Sequence, residues 1–179
     1  MKFLHTSDWH VGRTLNGWSL LEEQEWAFQQ IVDLAIHEQV DGVIIAGDLY
    51  DRAVPPVDAI KLFNKTLARL VLEEQIPVYA ISGNHDGAER LEVGRSMLSQ
   101  SGIHIWGSPH HALQPFEFEG FDGRVAICPM PFSEPRRIGD ALGLSSSESK
   151  PVDTDTAEDT LFSYVDDKNQ EAVALNLHN

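Results

Sequence analysis

The feature that most constrains the fold is an apolar run that leads directly into two acids. The run DGVIIAG, residues 41–47, is rich in β-branched side chains and lacks polar alternation, which predicts a strand buried on both faces. Asp48 follows it at once, and Asp51 comes three residues later. A carboxylate at the end of a buried strand is costly unless a positive partner meets it. The candidate partners are an arginine, a helix N-terminus and a metal ion.

Strand and helix patterns alternate around this run. KFLHTS (2–7) and IPVYAISG (76–83) predict two more strands. Apolar residues at helical spacing predict two intervening helices, the second starting after Pro55 and Pro56. The stripes consist of Phe28, Ile31, Val32 and Ala35 in the first helix, and of Ile60, Phe63, Leu67, Leu70 and Val71 in the second. This βαβαβ order predicts an α/β fold with a parallel sheet and helices on its faces.

Beyond residue 100 the strand patterns become shorter. GIHIWG, PFEFEG and GRVAICPMP predict strands that continue the sheet in mixed or antiparallel fashion. The polar, acidic stretch from about residue 145 predicts a loop, and residues 157–179 contain apolar positions that suggest a final helix.

Length and composition are those of one ordinary globular domain. The chain has 179 residues, with 42% hydrophobic and 23% charged side chains. No apolar run approaches the roughly 18 residues of a membrane helix, and His5 and Asp8 interrupt any signal-peptide core. We therefore expect a cytoplasmic protein that does not bind a membrane. The lone Cys128 has no partner for an internal disulfide, and we assign it no role.

The chain is strongly acidic. Its net charge of −15 argues against a surface that coats nucleic acid, because such surfaces are basic. Many of the acids fall within residues 145–171, however. The overall charge therefore does not decide the substrate.

Polar clusters follow each of the first three predicted strands: SDWH (7–10), GDLYD (47–51) and SGNHD (82–86). Because parallel strands end at one edge of a sheet, we expect these clusters to meet there. Their metal-competent side chains are Asp8, His10, Asp48, Asp51, Asn84, His85 and Asp86. Carboxylate, imidazole and amide donors suit Mn²⁺, Fe²⁺, Zn²⁺ or Mg²⁺, and the lack of a thiolate argues against a structural zinc site. Each motif alone fits an ordinary turn, but three together favour a metal site.

The motifs D-x-H, G-D-x-x-D and G-N-H-D, in this order, resemble the first three motifs of the calcineurin-like metallophosphoesterases. Their surroundings, HTSDWHVGRTLNG, GDLYDRAVPP and SGNHDGAERL, are most similar to the bacterial nuclease members of that family. The resemblance covers about residues 1–135 and implies a layered α/β fold with mixed β-sheets flanked by helices. We expect the nuclease domain to occupy residues 1–144, with an acidic loop and a helix in residues 145–179.

The resemblance also implies roles for the clustered residues. Asp8, His10 and Asp48 would hold one divalent ion, and Asp48 would bridge to a second ion bound by Asn84. The ions are expected to be manganese, with magnesium or another divalent metal as the alternative. His85 would act as an acid or a phosphate contact. Asp86 would orient His85, and Asp51 would orient a metal ligand from behind.

Four arginines are candidates for binding the substrate. Arg13 and Arg52 adjoin the motifs and would contact either DNA phosphates or the surplus carboxylates. Arg136 and Arg137 are further candidates of the same kind.

The implied function is that of a DNA nuclease subunit. It would cut double-stranded ends as an exonuclease and hairpins or single strands as an endonuclease, in DNA repair and recombination. An ATPase subunit, bound through regions beyond this chain, and a second copy of the chain are the implied partners.

Two later family motifs, a histidine after a further strand and Gly-His-x-His, have no counterpart here. His178 in ALNLHN lacks the neighbouring glycine and histidine. We therefore expect an incomplete domain with a weakened second metal site and little nuclease activity by itself.

Two other functions fit the same motifs. A general metallophosphatase or small-molecule phosphodiesterase would use the same donors, although HVGR and YDRAVPP favour the nuclease. A non-catalytic interaction module would explain the missing histidines, but it would have no need for so many uncompensated metal donors.

Overall fold

The computed structural model of the protein describes residues 1–112, 115–120, 123–134, 137, 138 and 141. The chain divides into two compact units, Met1–Gly107 and Ser108–Asn179. The predicted loop and helix in residues 145–179 lie outside the described residues, as do Arg136 and His178. The domain boundary between residues 144 and 145 therefore stays a prediction.

Helices and strands alternate through the first unit. In chain order its described elements are β1 (Phe3–Ser7), β2 (Thr14–Leu15), β3 (Trp18–Ser19), α1 (Leu21–His37), β4 (Gly42–Ala46), α2 (Val57–Ala68), a π-helical turn (Arg69–Glu73), β5 (Val78–Ile81), α3 (Ala88–Leu91), α4 (Arg95–Gln100) and β6 (Ile103–Trp106). Those of the second unit are α5 (Pro109–Ala112), β7 (Phe116–Gly120) and β8 (Gly123–Ile127).

A four-stranded sheet lies at the centre of the first unit. Its strand order is β1-β4-β5-β6, and all of its strands run parallel. β4 lies between β1 and β5 and is buried from Gly42 to Ile45, which confirms the strand predicted from the DGVIIAG run. The strands predicted at KFLHTS and IPVYAISG are confirmed as β1 and β5.

One face of this sheet forms the hydrophobic core with the two long helices. Alternate residues of a strand lie on the same face of a sheet, and Val43, Ile45, Val78 and Ala80 are all nearly inaccessible to solvent. They belong to one buried cluster with residues of α1 and α2, namely Phe28, Val32, Ala35, Ala59, Phe63 and Leu67. Burial of this apolar surface is the main favourable term that holds the sheet and its motifs in place.

The second helix differs in detail from the prediction. α2 begins at Val57 after the extended Pro56, as the two prolines predict. Ile60 was wrongly placed on the buried stripe, since it is 37% exposed and Ala59 and Leu62 are buried instead. Leu70 is buried as expected, but it lies in the π-helical turn, whose wider spacing shifts the helical register.

The later strands correct the predicted sheet. GIHIWG was expected to join a mixed or antiparallel continuation, but β6 pairs with β5 in parallel. α3 and α4, which the sequence patterns did not predict, form the crossover that parallel pairing requires. PFEFEG and GRVAICPMP form an antiparallel pair, β7 and β8, in a separate two-stranded sheet.

A small hairpin follows the first polar motif and was not predicted. β2 and β3 pair antiparallel around Asn16 and Gly17, with Leu15 opposite Trp18. Both turn residues have positive φ, 51° and 84°, as a two-residue type I′ turn requires. The Asn-Gly dipeptide was the available signal, but strands of two residues carry no readable periodicity.

None of the helices in the described part of the chain is both long and apolar enough to cross a membrane.

Candidate metal centre

The three polar motifs meet at the carboxyl edge of the sheet. Backbone hydrogen bonds join the first two loops, because the Asp8 N–H donates to the Gly47 oxygen at 3.2 Å and the His10 N–H donates to the Asp48 oxygen at 2.8 Å. The third loop is joined to the second by the His85 N–H, which donates to Asp48 Oδ1 at 2.9 Å. The sheet order therefore brings together residues from distant parts of the sequence.

Three of the predicted ligands have strained backbones. Asp8, His10 and Asp48 have φ values of 55°, 42° and 47°, in the left-handed region that side chains with a Cβ disfavour. Such a conformation costs on the order of 1–3 kcal/mol and persists only where the surroundings enforce it. Strain of this kind clusters at functional sites, so its coincidence with the metal-competent residues supports a site here.

Gly83 provides the space in which the Asp48 carboxylate lies. A Cβ built on Gly83 would collide with Asp48 Oδ1 and with the Asp48 backbone nitrogen, and it would lie 2.7 Å from Asp48 Cγ. The close approach of the second and third loops therefore requires glycine at this position.

We expect Gly83→Ala to disrupt the centre. Overpacking against fixed backbone costs about 1–3 kcal/mol, which lowers the melting temperature of a domain of this size by about 2–12 °C. The displaced Asp48 should also weaken Mn²⁺ binding, measured by calorimetric titration. Gly94→Ala is the control for Mn²⁺ binding: the φ of 76° at Gly94 disfavours alanine and so lowers stability, but no atom lies within 4 Å of the added Cβ and Mn²⁺ affinity should not change. Unchanged Mn²⁺ affinity in Gly83→Ala would contradict this description.

Asp8, His10 and Asp48 form one of two groups of donors in the described residues that are close enough to hold a metal ion. His10 Nε2 lies 3.5 Å from Asp48 Oδ2 and 3.9 Å from Asp8 Oδ1. One ligand atom from each of the three side chains lies within 4.8 Å of the others. Asp48 is buried, with 7% of its surface exposed, whereas Asp8 is exposed. Asp48 thus carries the desolvation cost that a cation would offset.

The chemistry of this group fits a divalent ion. Two donors bound to one ion by bonds of about 2.0–2.2 Å lie about 3–3.5 Å apart, and the distance between His10 Nε2 and Asp48 Oδ2 is 3.5 Å. That distance is too long for a good hydrogen bond. Two carboxylates beside one imidazole also give the mixture of hard and borderline donors that Mn²⁺, Fe²⁺ and Zn²⁺ accept.

The other ring nitrogen of His10 faces Asp51. His10 Nδ1 is buried and makes no hydrogen bond with any residue that the structure describes, and Asp51 Oδ1 lies 3.6 Å from it. A carboxylate behind a metal-binding histidine commonly fixes the ring and its tautomer. The predicted role of Asp51 behind a ligand is consistent with this position and stays a prediction.

His85 contacts the centre from the third loop. Its ring lies 4.8 Å from the His10 ring in an edge-to-face arrangement. His85 Nδ1 lies 3.0 Å from the backbone oxygen of Asp51. Since a carbonyl only accepts hydrogen bonds, Nδ1 carries the proton. The His85 ring is exposed, and Nε2 is the ring nitrogen that this tautomer leaves as an acceptor.

Asp86 connects the second and third loops. Its carboxylate accepts hydrogen bonds from the N–H groups of Leu49, Tyr50 and Gly83, each at 2.9 Å. Burial raises the pKa of Asp86 and the charge of Asp48 raises it further, whereas the three N–H donors oppose the shift. The described contacts of the His85 ring are with the His10 ring and the Asp51 backbone oxygen, so the predicted orientation of His85 by Asp86 stays a prediction.

The sequence and this geometry agree with a family of known enzymes. The family model for calcineurin-like phosphoesterases matches residues 1–174. The chain belongs to the calcineurin-like phosphoesterase family. The SbcD subunit of the nuclease SbcCD from Staphylococcus saprophyticus is 41% identical over 133 residues, which cover 74% of this chain and 34% of the relative. The chain therefore spans about a third of that relative's length, and the resemblance predicted from the three motifs is confirmed.

The predicted fold class is also confirmed, with a correction to its details. The chain has the expected sheet flanked by helices. Within the described residues the four-stranded sheet is wholly parallel, and antiparallel pairing is confined to the small sheets β2–β3 and β7–β8.

The structure also describes four other predicted residues. Asn84 is exposed in the third loop, next to His85. Arg13 is exposed after the first motif. Arg52 Nε lies 3.9 Å from Asp51 Oδ2. Of the two predicted uses of Arg52, this contact is the ion pair with a surplus carboxylate, and its distance is at the upper limit for an ion pair. Arg137 lies in the second unit and is exposed.

Gln24 of α1 was missed by the sequence patterns. Its side-chain amide donates to the backbone oxygens of Trp9 at 3.1 Å and His10 at 2.8 Å, and its oxygen accepts from the Gly12 N–H at 3.0 Å. These three bonds hold the loop that carries His10. No sequence signal distinguishes such a residue, because a glutamine on a helix is ordinarily exposed to solvent.

Proposed function

We propose that this chain is a nuclease subunit that hydrolyses DNA phosphodiesters with two divalent ions. The observation that supports it is the convergence of Asp8, His10 and Asp48 on one position, with His85 hydrogen-bonded into the same group. Family membership supports hydrolysis of a phosphate ester. The relative named as a nuclease, 41% identical to this chain, supports DNA as the substrate.

The residues of the centre divide into ligands and a proton donor. Asp8, His10 and Asp48 would hold one ion, and Asp48 with Asn84 would contribute to a second, manganese in both cases. Such ions polarise the phosphate and supply hydroxide at neutral pH. Asp51 keeps the His10 ring oriented, and Asp86 keeps the second and third loops together.

His85 is the proton donor in this proposal. Its Nδ1–H is fixed on the Asp51 oxygen at 3.0 Å. A proton on Nε2 can then pass to the oxygen of the departing alcohol as the ester bond breaks. DNA needs this step because its leaving group is an aliphatic alkoxide of high basicity.

The alternative substrate class is a small phosphate ester. The test compares Mn²⁺-dependent hydrolysis by the full chain of a linear duplex DNA, of a single-stranded or hairpin DNA, and of p-nitrophenyl phosphate. Because the second metal site is expected to be weak, we expect slow cleavage of DNA by this chain and still slower hydrolysis of the monoester. Preferential hydrolysis of the monoester would instead support a general phosphatase. No hydrolysis of any substrate, with Mn²⁺ bound, would support a non-catalytic module.

Cellular partners follow from the same resemblance. We propose an SbcC-type ATPase subunit as the partner and the cytoplasm as the location, where DNA is accessible in bacteria. Binding of the chain to a purified ATPase subunit would test this. If the chain alone does not bind the ATPase subunit but a longer form of the protein does, the contact lies in regions outside this chain.

We also propose that two copies associate through an apolar surface on α2, α3 and α4. A groove of about 630 Å³ lies between these helices, lined by apolar side chains that include Phe63, Leu67 and Leu91. Exposed apolar residues lie on its rim and nearby, with Leu72 67%, Val93 74% and Met97 74% exposed. An exposed cluster of this kind marks an interaction surface.

We expect Val93→Glu to shift the chain from dimer to monomer, because Val93 lines the groove and a buried unpaired carboxylate is costly. Light scattering coupled to size exclusion measures the molar mass. Leu34→Glu on α1 is the matched control, since Leu34 is also exposed, at 46%. A wild-type chain that is monomeric at high concentration would contradict this dimer.

A further inference from the structure

The β2–β3 hairpin presents two large apolar side chains to solvent. Trp18 is 79% exposed and its cross-strand partner Leu15 is 58% exposed. The type I′ geometry of Asn16 and Gly17 makes this a defined turn rather than an irregular loop. An indole ring exposed to water on a rigid turn is unfavourable, and exposed tryptophans commonly take part in binding.

The hairpin is fastened to the candidate metal centre at its base. The Leu20 N–H donates to the Arg13 oxygen at 3.0 Å, and the Arg13 N–H donates to the His10 oxygen at 3.0 Å. Gln24 holds His10 and Gly12 from α1. The chain from His10 to the hairpin is thus continuous and hydrogen-bonded, which places the base of the hairpin next to the loop that carries His10.

The charge of the protein limits how DNA can be held there. With a net charge of −15, part of it within residues 145–171, the protein offers little general attraction to a phosphate backbone. Base stacking on an aromatic ring does not depend on that field, and it is combined with arginine in proteins that bind single strands. Arg13, at the base of the hairpin, is exposed and provides such a cation.

We propose that Trp18 is a stacking surface for an unpaired base of the strand whose phosphate is cleaved. This inference rests on the proposed DNA substrate and adds the chemical form of that substrate at the hairpin: single-stranded rather than fully paired. Trp18 binds the substrate and does not act on the reacting bond. A protein partner would be the other use of an exposed tryptophan, and binding measurements on single-stranded DNA distinguish the two.

The test measures binding of the full chain to a fluorescein-labelled oligothymidylate by fluorescence anisotropy in manganese buffer. Phosphorothioate linkages in the probe slow its hydrolysis. A stacked base is worth about 1–3 kcal/mol, so Trp18→Ala should weaken binding by about 5- to 150-fold. Trp26→Ala is the matched control, because Trp26 is also exposed, at 65%, but lies on α1. Unchanged melting temperatures establish that both variants are folded.

Two further measurements separate this inference from the proposed function. A blunt duplex of the same length has no unpaired bases, so its affinity should change much less in Trp18→Ala. Hydrolysis of bis(p-nitrophenyl) phosphate, which has no base, should not change at all. The inference would be overturned if Trp18→Ala and Trp26→Ala lost affinity for the single strand equally, or if Trp18→Ala lost affinity equally for duplex and single strand. It would also be overturned if Trp18→Ala lost no affinity, a result that would point to a protein partner. Trp18-dependent binding without hydrolysis of the diester would overturn only the catalytic proposal.

Discussion

Replacing Asp48 with asparagine is expected to abolish tight Mn²⁺ binding and to lower phosphodiesterase activity by more than about 100-fold. Loss of residues that merely support metal ligands costs 10- to 100-fold, and Asp48 is a proposed ligand of both ions. Asparagine keeps the shape of the side chain and can still accept the His85 N–H bond at Oδ1. The change therefore removes mainly the charge that faces His10 at 3.5 Å.

Calorimetric titration with Mn²⁺ and hydrolysis of bis(p-nitrophenyl) phosphate measure the two effects of Asp48→Asn. Asp58→Asn is the matched control, because Asp58 is an exposed acid of α2 that pairs with Lys61 at 3.0 Å. The control should bind Mn²⁺ as the wild type does. Wild-type affinity in Asp48→Asn would show that the metal lies elsewhere.

Replacing His85 with asparagine is expected to lower DNA cleavage by about 10²- to 10⁴-fold, the usual contribution of a general acid. The asparagine amide can replace Nδ1 as the donor to the Asp51 oxygen, so the loop should keep its structure. It cannot supply the proton that Nε2 gives in the proposed mechanism.

The leaving group decides whether His85 acts as an acid. p-Nitrophenolate departs without a proton, so His85→Asn should hydrolyse bis(p-nitrophenyl) phosphate with a much smaller loss than it shows on DNA. His37→Asn, at the exposed end of α1, is the control. An equal loss on both substrates would indicate that His85 binds or positions the phosphate instead.

The sequence predicted the elements that place the centre. A continuous apolar run identifies β4. Two amphipathic stripes identify α1 and α2, because a helix that buries one face leaves a periodic pattern in the sequence. The rule that parallel strands end at one edge then places the loops of Asp8, Asp48 and His85 together, without information on side-chain geometry.

The parts that could not be predicted depend on tertiary hydrogen bonds. Gln24 and Asp86 bond to backbone groups of distant loops, and no local pattern encodes those partners. The positive φ values of Asp8, His10 and Asp48 are equally invisible, because these residue types do not signal left-handed backbone as glycine does. Ile60 was misplaced because a helical stripe fixes the spacing of buried residues but not the rotation of the helix.

Anomalous diffraction from a crystal soaked in manganese, recorded at the manganese absorption edge, tests the metal centre most directly. We expect a peak within bonding distance of Asp8, His10 Nε2 and Asp48, and that peak should vanish in Asp48→Asn. Full-occupancy manganese bound elsewhere, with these three side chains left uncoordinated, would contradict the assignment of this edge of the sheet as a metal centre.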